Sequence, residues 1–375
     1  MMEKKKILVA MSGGVDSSVA AAILKQAGHE VGGATIRTWA SGSCASVNTR
    51  ACCGISGVED AREVADSLGI PYWVFNFEED FKKHVVDYFA EEYKRGRTPN
   101  PCVACNEHIK FRLFLQKARQ LGYDMIATGH YAQIVRDEKT GALALAEGAD
   151  VRKDQSYVLF PVAPELLPFI LLPISHFTKD QIRAKAAEFD LCVKNKPDSQ
   201  EICFIPSNDY GAFLEKEFFK GEKHPGAIRD QEGKEIGRHD GFYHYTRGQR
   251  RGLGVAAKDR IYVTATDPER NEVIVGEKND LLDAGLTASR MNWFIPQTPG
   301  AVFKAQVKIR SQHTKAAAEV TVQADGSVQV VFEEPQEAIT AGQGAVIYEG
   351  TKILGGGWID RALKTAPDLK GACSA

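Results

Sequence analysis

One short segment constrains this chain more than any other. The apolar run at residues 7–11 feeds directly into Ser12-Gly13-Gly14-Val15-Asp16-Ser17-Ser18, and an alanine-rich stretch of helix formers follows at 19–24. Strand, glycine loop and helix are the predicted context. Paired glycines let backbone amides approach an anion with no side chain in the way, and a helix amino end adds partial positive charge. Ser12, Ser17 and Ser18 supply hydroxyl donors for phosphate oxygens. The loop lacks the Gly-Lys-[Ser/Thr] ending of the common P-loop and the spacing of G-x-G-x-x-G, so neither of those sites is expected. The plain alternative is a serine-capped glycine turn that binds nothing.

The surrounding pattern favours a nucleotide site. Apolar runs at 7–11, 31–36, 72–76 and 125–128 alternate with amphipathic stretches at 15–27, 58–68 and 111–121. That rhythm predicts an α/β domain with a parallel sheet wrapped by helices. Ligands sit at the carboxyl ends of such strands. Two turns there, Ser12-Gly13-Gly14 and Thr128-Gly129-His130, carry suitable residues. From 160 to 194 the pattern reads as helical, with 181–189 opening after Thr178 as a cap. Beyond about 210 glycine, proline and short β-branched runs predict a small β-rich domain. Alternation at 302–309, 318–322, 328–332 and 345–348 predicts a C-terminal β-barrel. With 375 residues the chain exceeds one ordinary core, and the expected domains are 1–212, 213–283 and 284–375.

Charge and cysteine usage narrow the chemistry. Lys and Arg total 47 against 49 for Asp and Glu, so nucleic acid would be held by a local patch and not by bulk charge. The start MMEKKKILVAMSGG has no long apolar stretch, and no later run reaches a membrane span, so a cytoplasmic, membrane-free protein is expected. Thiols stay reduced there, and the eight cysteines point to catalysis, metal binding or burial. Cys102 and Cys105 form a Cys-x-x-Cys pair after Pro99-Asn100-Pro101, with Arg97 and Lys110 near in sequence to favour a thiolate. A redox pair or half a zinc site is the alternative; zinc ordinarily wants a second pair, whereas Cys52 and Cys53 are adjacent and Cys203 stands alone. Cys44, Cys192 and Cys373 read as ordinary residues.

The loop resembles the SGGxDS pyrophosphate loop of the ATP pyrophosphatase class, which splits ATP between the α and β phosphates and activates an oxygen as its adenylate. More of the chain fits one branch of that class. Residues 12–17, 96–101 with Cys105-Asn106, Ala127-Thr128-Gly129-His130-Tyr131, Lys153-Asp154-Gln155-Ser156-Tyr157, Ile202-Cys203-Phe204-Ile205 and 248–254 resemble, in order, the signatures of the bacterial tRNA-specific 2-thiouridylases. The resemblance implies an adenine nucleotide α-hydrolase-like domain followed by the two β domains. It implies ATP binding by Ala10, Met11, Ser12, Gly13, Gly14, Val15, Asp16, Ser17, Ile36 and Gly129, with Asp16 reaching the phosphates through Mg2+. Cys105 would be the catalytic nucleophile and Cys203 the persulfide carrier, linked transiently and then reduced. Contacts to tRNA would come from Asn100, Pro101, Cys102, His130, Lys153, Asp154, Gln155, Arg310, Ser311 and Gln343; arginines 247, 250 and 251 cluster with glycines, and for any one of them a solvated surface is the better reading. A persulfide-carrying protein or sulfide would supply sulfur. Two alternatives stay open: a [4Fe–4S] cluster on Cys102, Cys105 and Cys203, and an amidating ligase of the same loop class. A non-catalytic RNA-binding module is a third, and it leaves the loop and the thiols unexplained.

Overall fold

The computed structural model describes residues 4–38, 55–197, 202–205, 209–256 and 259–364; Cys44, Cys52, Cys53 and Cys373 lie outside them. The chain divides into two compact units. The first comprises residues 1–86, 101–208 and 351–354. Its centre is β1 (Lys6–Ala10), where Ile7, Leu8 and Val9 are completely buried. A parallel strand covered on both faces requires such an unbroken apolar run. Helix α1 (Val15–Gln26) crosses to β2 (Glu30–Arg37), and α2 (Ile55–Ser67) crosses to β3 (Tyr72–Asn76). The helical segments α3 (Glu78–Phe81), α4 (Tyr88–Lys94), α5 (Pro101–Cys105) and α6 (Phe114–Gln120) follow, α4 counting with the second unit. The chain then enters β4 (Met125–Ala127).

The sheet order is β3-β2-β1-β4, and every pairing is parallel. Register sets Ile7 opposite Val31 on one side and Met125 on the other. The chain leaves β1 toward β2 and returns on the opposite edge as β4, so strand order reverses beside β1. A crevice opens outside the carboxyl ends at such a reversal, here at Ser12 and Thr128. An antiparallel hairpin, β5 (Ala132–Arg136) and β6 (Leu143–Glu147), follows the second turn.

The single helical stretch expected at 160–194 is corrected. Pro164 and Pro168 restrict 164–169 to tight turns, and β7 (Ile170–Leu171) adds in parallel to β4. Helix resumes at α7 (Lys179–Glu188). Thr178 caps it through a reciprocal pair, the Gln181 amide to Thr178 Oγ1 at 3.4 Å and the Thr178 amide to Gln181 Oε1 at 2.8 Å. Ile182 and Ala186 of α7 join Val19, Ala20 and Ala21 of α1 in one core cluster, the small alanines permitting close packing.

The second unit comprises residues 87–100, 209–350 and 355–375. After α8 (Tyr210–Phe218), strands β8 (Gly226–Arg229), β9 (Glu235–His239), β10 (Tyr262–Asp267) and β11 (Glu272–Gly276) form a sheet of order β10-β11-β8-β9. Then β12 (Leu282–Trp293), β13 (Val302–Lys308), β14 (Ala316–Val322), β15 (Val328–Glu337), β16 (Gly344–Glu349) and β17 (Lys352–Leu363) close into a six-stranded barrel through a β12–β17 pairing. The expected barrel is present. Its two closing strands carried no clear strand signal, because β17 holds Gly355-Gly356-Gly357. The structure supplies the reason: a Cβ on Gly355 would stand 2.4 Å from the Trp293 ring.

Candidate functional site

The loop between β1 and α1 is held by its own side chains. The Ser12 amide donates to Ser17 Oγ at 3.2 Å, and Ser17 Oγ and Ser18 Oγ donate to the Gly14 carbonyl at 3.2 and 2.8 Å. The first amides of a helix have no partner within it, so the first turn of α1 points donors out of its amino end. Gly13 has φ of +70°, and a Cβ there would stand 2.2 Å from the Gly57 carbonyl oxygen of α2. Gly129, at the end of β4, backs against the loop: a Cβ would meet the Ser17 amide nitrogen at 2.7 Å. The structure thus brings together 10–17 and Gly129. Met11 is buried, its amide on the Ala34 carbonyl at 2.9 Å, and Ile36 is buried on the adjacent strand.

Two lysines that sequence reasoning did not single out converge on this loop. Lys179, the first residue of α7, is only 7% exposed. Its ammonium donates to Asp16 Oδ1 and Oδ2 at 2.7 and 2.8 Å, and the Tyr131 hydroxyl donates to Oδ1 at 2.7 Å. Lys196 donates to the Gly13 carbonyl at 2.9 Å and pairs with Asp60. The only sequence signal for Lys179 was its place after the Thr178 cap. Nothing in spacing alone ties a residue that far along the chain to Asp16.

The loop holding Lys153-Asp154-Gln155 is built largely from its own polar groups. Asp154 accepts from the Gly148 and Ser156 amides, each at 3.1 Å, and from the Ser156 hydroxyl at 2.8 Å. Gln155 exchanges bonds with Tyr131, its Oε1 accepting from the Tyr131 amide at 3.0 Å. Asp150 accepts from the Lys179 amide at 2.9 Å, and that bond, ahead of its other partners, holds its carboxyl below the usual range. His130 is buried, its Nδ1 2.8 Å from Thr128 Oγ1; burial foremost, with the Lys110 charge, keeps its imidazole well below its ordinary pKa.

Of the thiols, Cys102 is exposed, Cys105 buried and Cys203 half-buried. Cys105 ends α5, and the helix continues through wider turns at 106–113. Asn106 is buried, its Nδ2 donating to the Val158 carbonyl at 3.0 Å while Oδ1 accepts nothing. The Cys203 segment is anchored by Phe204, whose ring meets Phe81 edge-on at 5.7 Å. Among the described residues no three His, Cys, Asp or Glu side chains are gathered closely enough to hold a metal ion. Cys102, Cys105 and Cys203 therefore do not present a cluster-binding trio in this conformation. Asp16 fits magnesium only as a lone carboxylate beside phosphates, a usual arrangement for that ion.

In the second unit two expected cations are engaged elsewhere. Arg97 donates to Glu92 at 2.7 Å and to the Ile359 carbonyl at 3.1 Å, so its charge is neutralised by a buried carboxylate. Arg247 is bound to fully buried Asp283 at 2.7 and 2.9 Å. Its guanidinium is engaged in that pair and is not a freely solvated surface group. Arg250 and Arg251 are exposed; Arg310 donates to the Glu337 carbonyl at 3.0 Å with Ser311 beside it. Gln343 donates to the Thr98 carbonyl at 2.7 Å, two residues before Asn100. No described helix is long and apolar enough to cross a membrane.

Comparison with known proteins adds independent findings. Residues 5–207 match the family described as tRNA methyl transferase HUP domain, 212–277 its PRC-barrel domain, and 283–359 the aminomethyltransferase β-barrel domain. Proteins named tRNA-specific 2-thiouridylase MnmA from Geobacter metallireducens and Carboxydothermus hydrogenoformans are each 48% identical over 96% of this chain, covering 98% and 99% of their own lengths. One from Acetivibrio thermocellus is 47% identical over 96% of this chain and all of its own.

Proposed function

The chain belongs to the tRNA-specific 2-thiouridylase family, and from that membership we propose that it is a tRNA-uridine 2-sulfurtransferase driven by ATP. The observation that carries this reading is the intact glycine loop at the reversal of a parallel sheet, backed by Gly129 and flanked by Lys179 and Lys196. Methyl transfer, the word in the domain descriptions, has no use for that loop. Full-length identity to thiouridylases accounts for it.

The wobble uridine is the substrate base, its C2 oxygen attacking the α-phosphate as the bond to the β-phosphate breaks and pyrophosphate leaves. The site residues are those at 10–17, Ile36 and Gly129. Asp16 would help hold magnesium, which would supply charge neutralisation for the phosphates. A persulfide on Cys203 then attacks C2, and AMP departs with its oxygen. Cys105 attacks the inner sulfur of Cys203, forming a Cys105–Cys203 disulfide and leaving the outer sulfur on the base. A dithiol reductant must restore both thiols, and a sulfur-donor protein or sulfide must recharge Cys203. Cys105 is buried, which shields it from idle oxidation until tRNA binds. Contacts to tRNA are assigned to Asn100, Pro101, Cys102, His130, Lys153, Asp154, Gln155, Arg310, Ser311 and Gln343. The cytoplasm, where tRNA and reductant are present, is the proposed location.

The test is reconstitution with unmodified tRNA, ATP and a persulfide donor. Pyrophosphate release should depend on tRNA, and the nucleoside product should carry sulfur and no added methyl. Cys105→Ala and Cys203→Ala should each abolish thiolation while pyrophosphate release persists. Full thiolation by either variant, or ATP left intact, would reject the proposal.

A further inference from the structure

Lys179 and Lys308 are the buried lysines among the described residues, and Lys179 alone of the two touches the glycine loop. A buried ammonium is costly unless an anion sits against it, and Asp16 is that anion. The pairing uses both carboxylate oxygens, and Tyr131 adds a third donor to Oδ1. Both oxygens of Asp16 are thus engaged by donors.

That engagement competes with the carboxylate's proposed task. Magnesium binds oxygen at about 2.0–2.1 Å, and it cannot share these oxygens with an ammonium at 2.7 and 2.8 Å without like-charge repulsion. When magnesium takes Asp16, Lys179 loses its anion. It stays in the same place, because its amide is pinned by Asp150 and its helix by the Thr178 cap. The displaced ammonium needs another anion within side-chain reach of the loop, and phosphate oxygens are the anions that arrive with the metal.

Resting on the ATP reading above, we propose that Lys179 is a ligand of the β- and γ-phosphates, held in reserve by Asp16 until magnesium takes over that carboxylate. Asp150 and Tyr131 are positioning residues for the exchange. Lys196 makes the same kind of pair with Asp60 and adds positive charge beside Gly13. On this proposal a metal-bound polyphosphate is what releases Lys179 from Asp16.

Product inhibition of full-length enzyme separates this from a structural pin, because one product carries the phosphates in question and the other does not. For Lys179→Met, inhibition by magnesium pyrophosphate should weaken about ten- to a hundredfold, the range for one charge-assisted hydrogen bond. Inhibition by AMP should stay within about twofold, since AMP makes none of the β- and γ-phosphate contacts. Equal loss for both products, or no loss, overturns the proposal. If wild-type enzyme is inhibited by neither and leaves ATP intact, the ATP reading itself has failed. Should Lys179→Met not fold, a second pair decides. Asp16→Asn frees the ammonium and should bind metal-free pyrophosphate more tightly than wild type in calorimetry with a chelator present. The double variant Asp16→Asn, Lys179→Met should lose that gain; a double variant that keeps it overturns the assignment.

Discussion

Two ion pairs, one in each unit, use similar groups to opposite ends. Lys179 on Asp16 and Arg247 on Asp283 each join a cation to a carboxylate far away in sequence. Asp283 is wholly buried and also accepts from the Ile339 amide at 3.2 Å and pairs with Lys364 at 3.2 Å, while Arg247 donates on to the Ile339 carbonyl at 2.6 Å. Both carboxylate oxygens are engaged, though the buried Arg247 Nε has no partner, and the pair is a fixed joint where 247, 283 and 339 meet. The Asp16 side chain is 32% exposed and stands in the first turn of α1, whose amides face outward. There an incoming ion can replace one partner. Surroundings, more than the pair itself, decide whether a salt bridge is a joint or a latch.

The comparison breaks first on stability. Arg247→Met leaves the fully buried Asp283 with only the half-exposed Lys364 as counter-charge and should cost about 3 kcal/mol, read by urea unfolding. Lys179→Met leaves a partly hydrated carboxylate and should cost about 1 kcal/mol. Equal losses would erase the distinction. Gly129→Ala should come next, since its Cβ would press on the Ser17 amide. Overpacking of about 1–3 kcal/mol is expected, and a loop displaced by about 1 Å should slow tRNA-dependent pyrophosphate release about a hundredfold. Thr178→Ala is milder. Losing the cap should cost about 1 kcal/mol and raise the KM for ATP a few-fold by loosening Lys179, with thiolation at saturating ATP little changed.

The smallest effect is acid sensitivity. His108, its ring tilted against that of His84 at 4.6 Å, has its pKa lowered from 6.5 to about 4, chiefly by burial and then by the His84 and Arg112 charges. Between those values the unfolded chain binds a proton that the folded chain refuses. Stability is therefore full above about pH 6.5 and declines as pH falls toward 4, with His130 adding in the same direction. Replacing His108 with Gln should flatten that slope in thermal melts taken across the window. An unchanged slope would assign acid sensitivity to other groups.

Much of the first unit was legible because its signals are local. A buried parallel strand must read as a continuous apolar run, so β1 lies where the sequence placed it; the edge strand β3, only partly buried, kept its β-branched and aromatic signal, and the Thr178 cap announces α7. The strands β5, β6, β12 and β17 were not legible. Their short or glycine-broken patterns acquire meaning only against partners such as Trp293 over Gly355. The partners of arginines 97 and 247 were hidden for the same reason: a cation's neighbour in sequence says little about its neighbour in space.

The sequence by itself determined that a phosphate-suited loop lies between strand and helix, that thiols accompany it, and that the chain fits one enzyme family from end to end. Those features are written in consecutive residues or in the order of motifs. Only the tertiary structure decided which charges face that loop. Lys179 and Asp16 meet because α7 packs on α1, and electrostatic pairing depends on distance through space, which no one-dimensional spacing encodes.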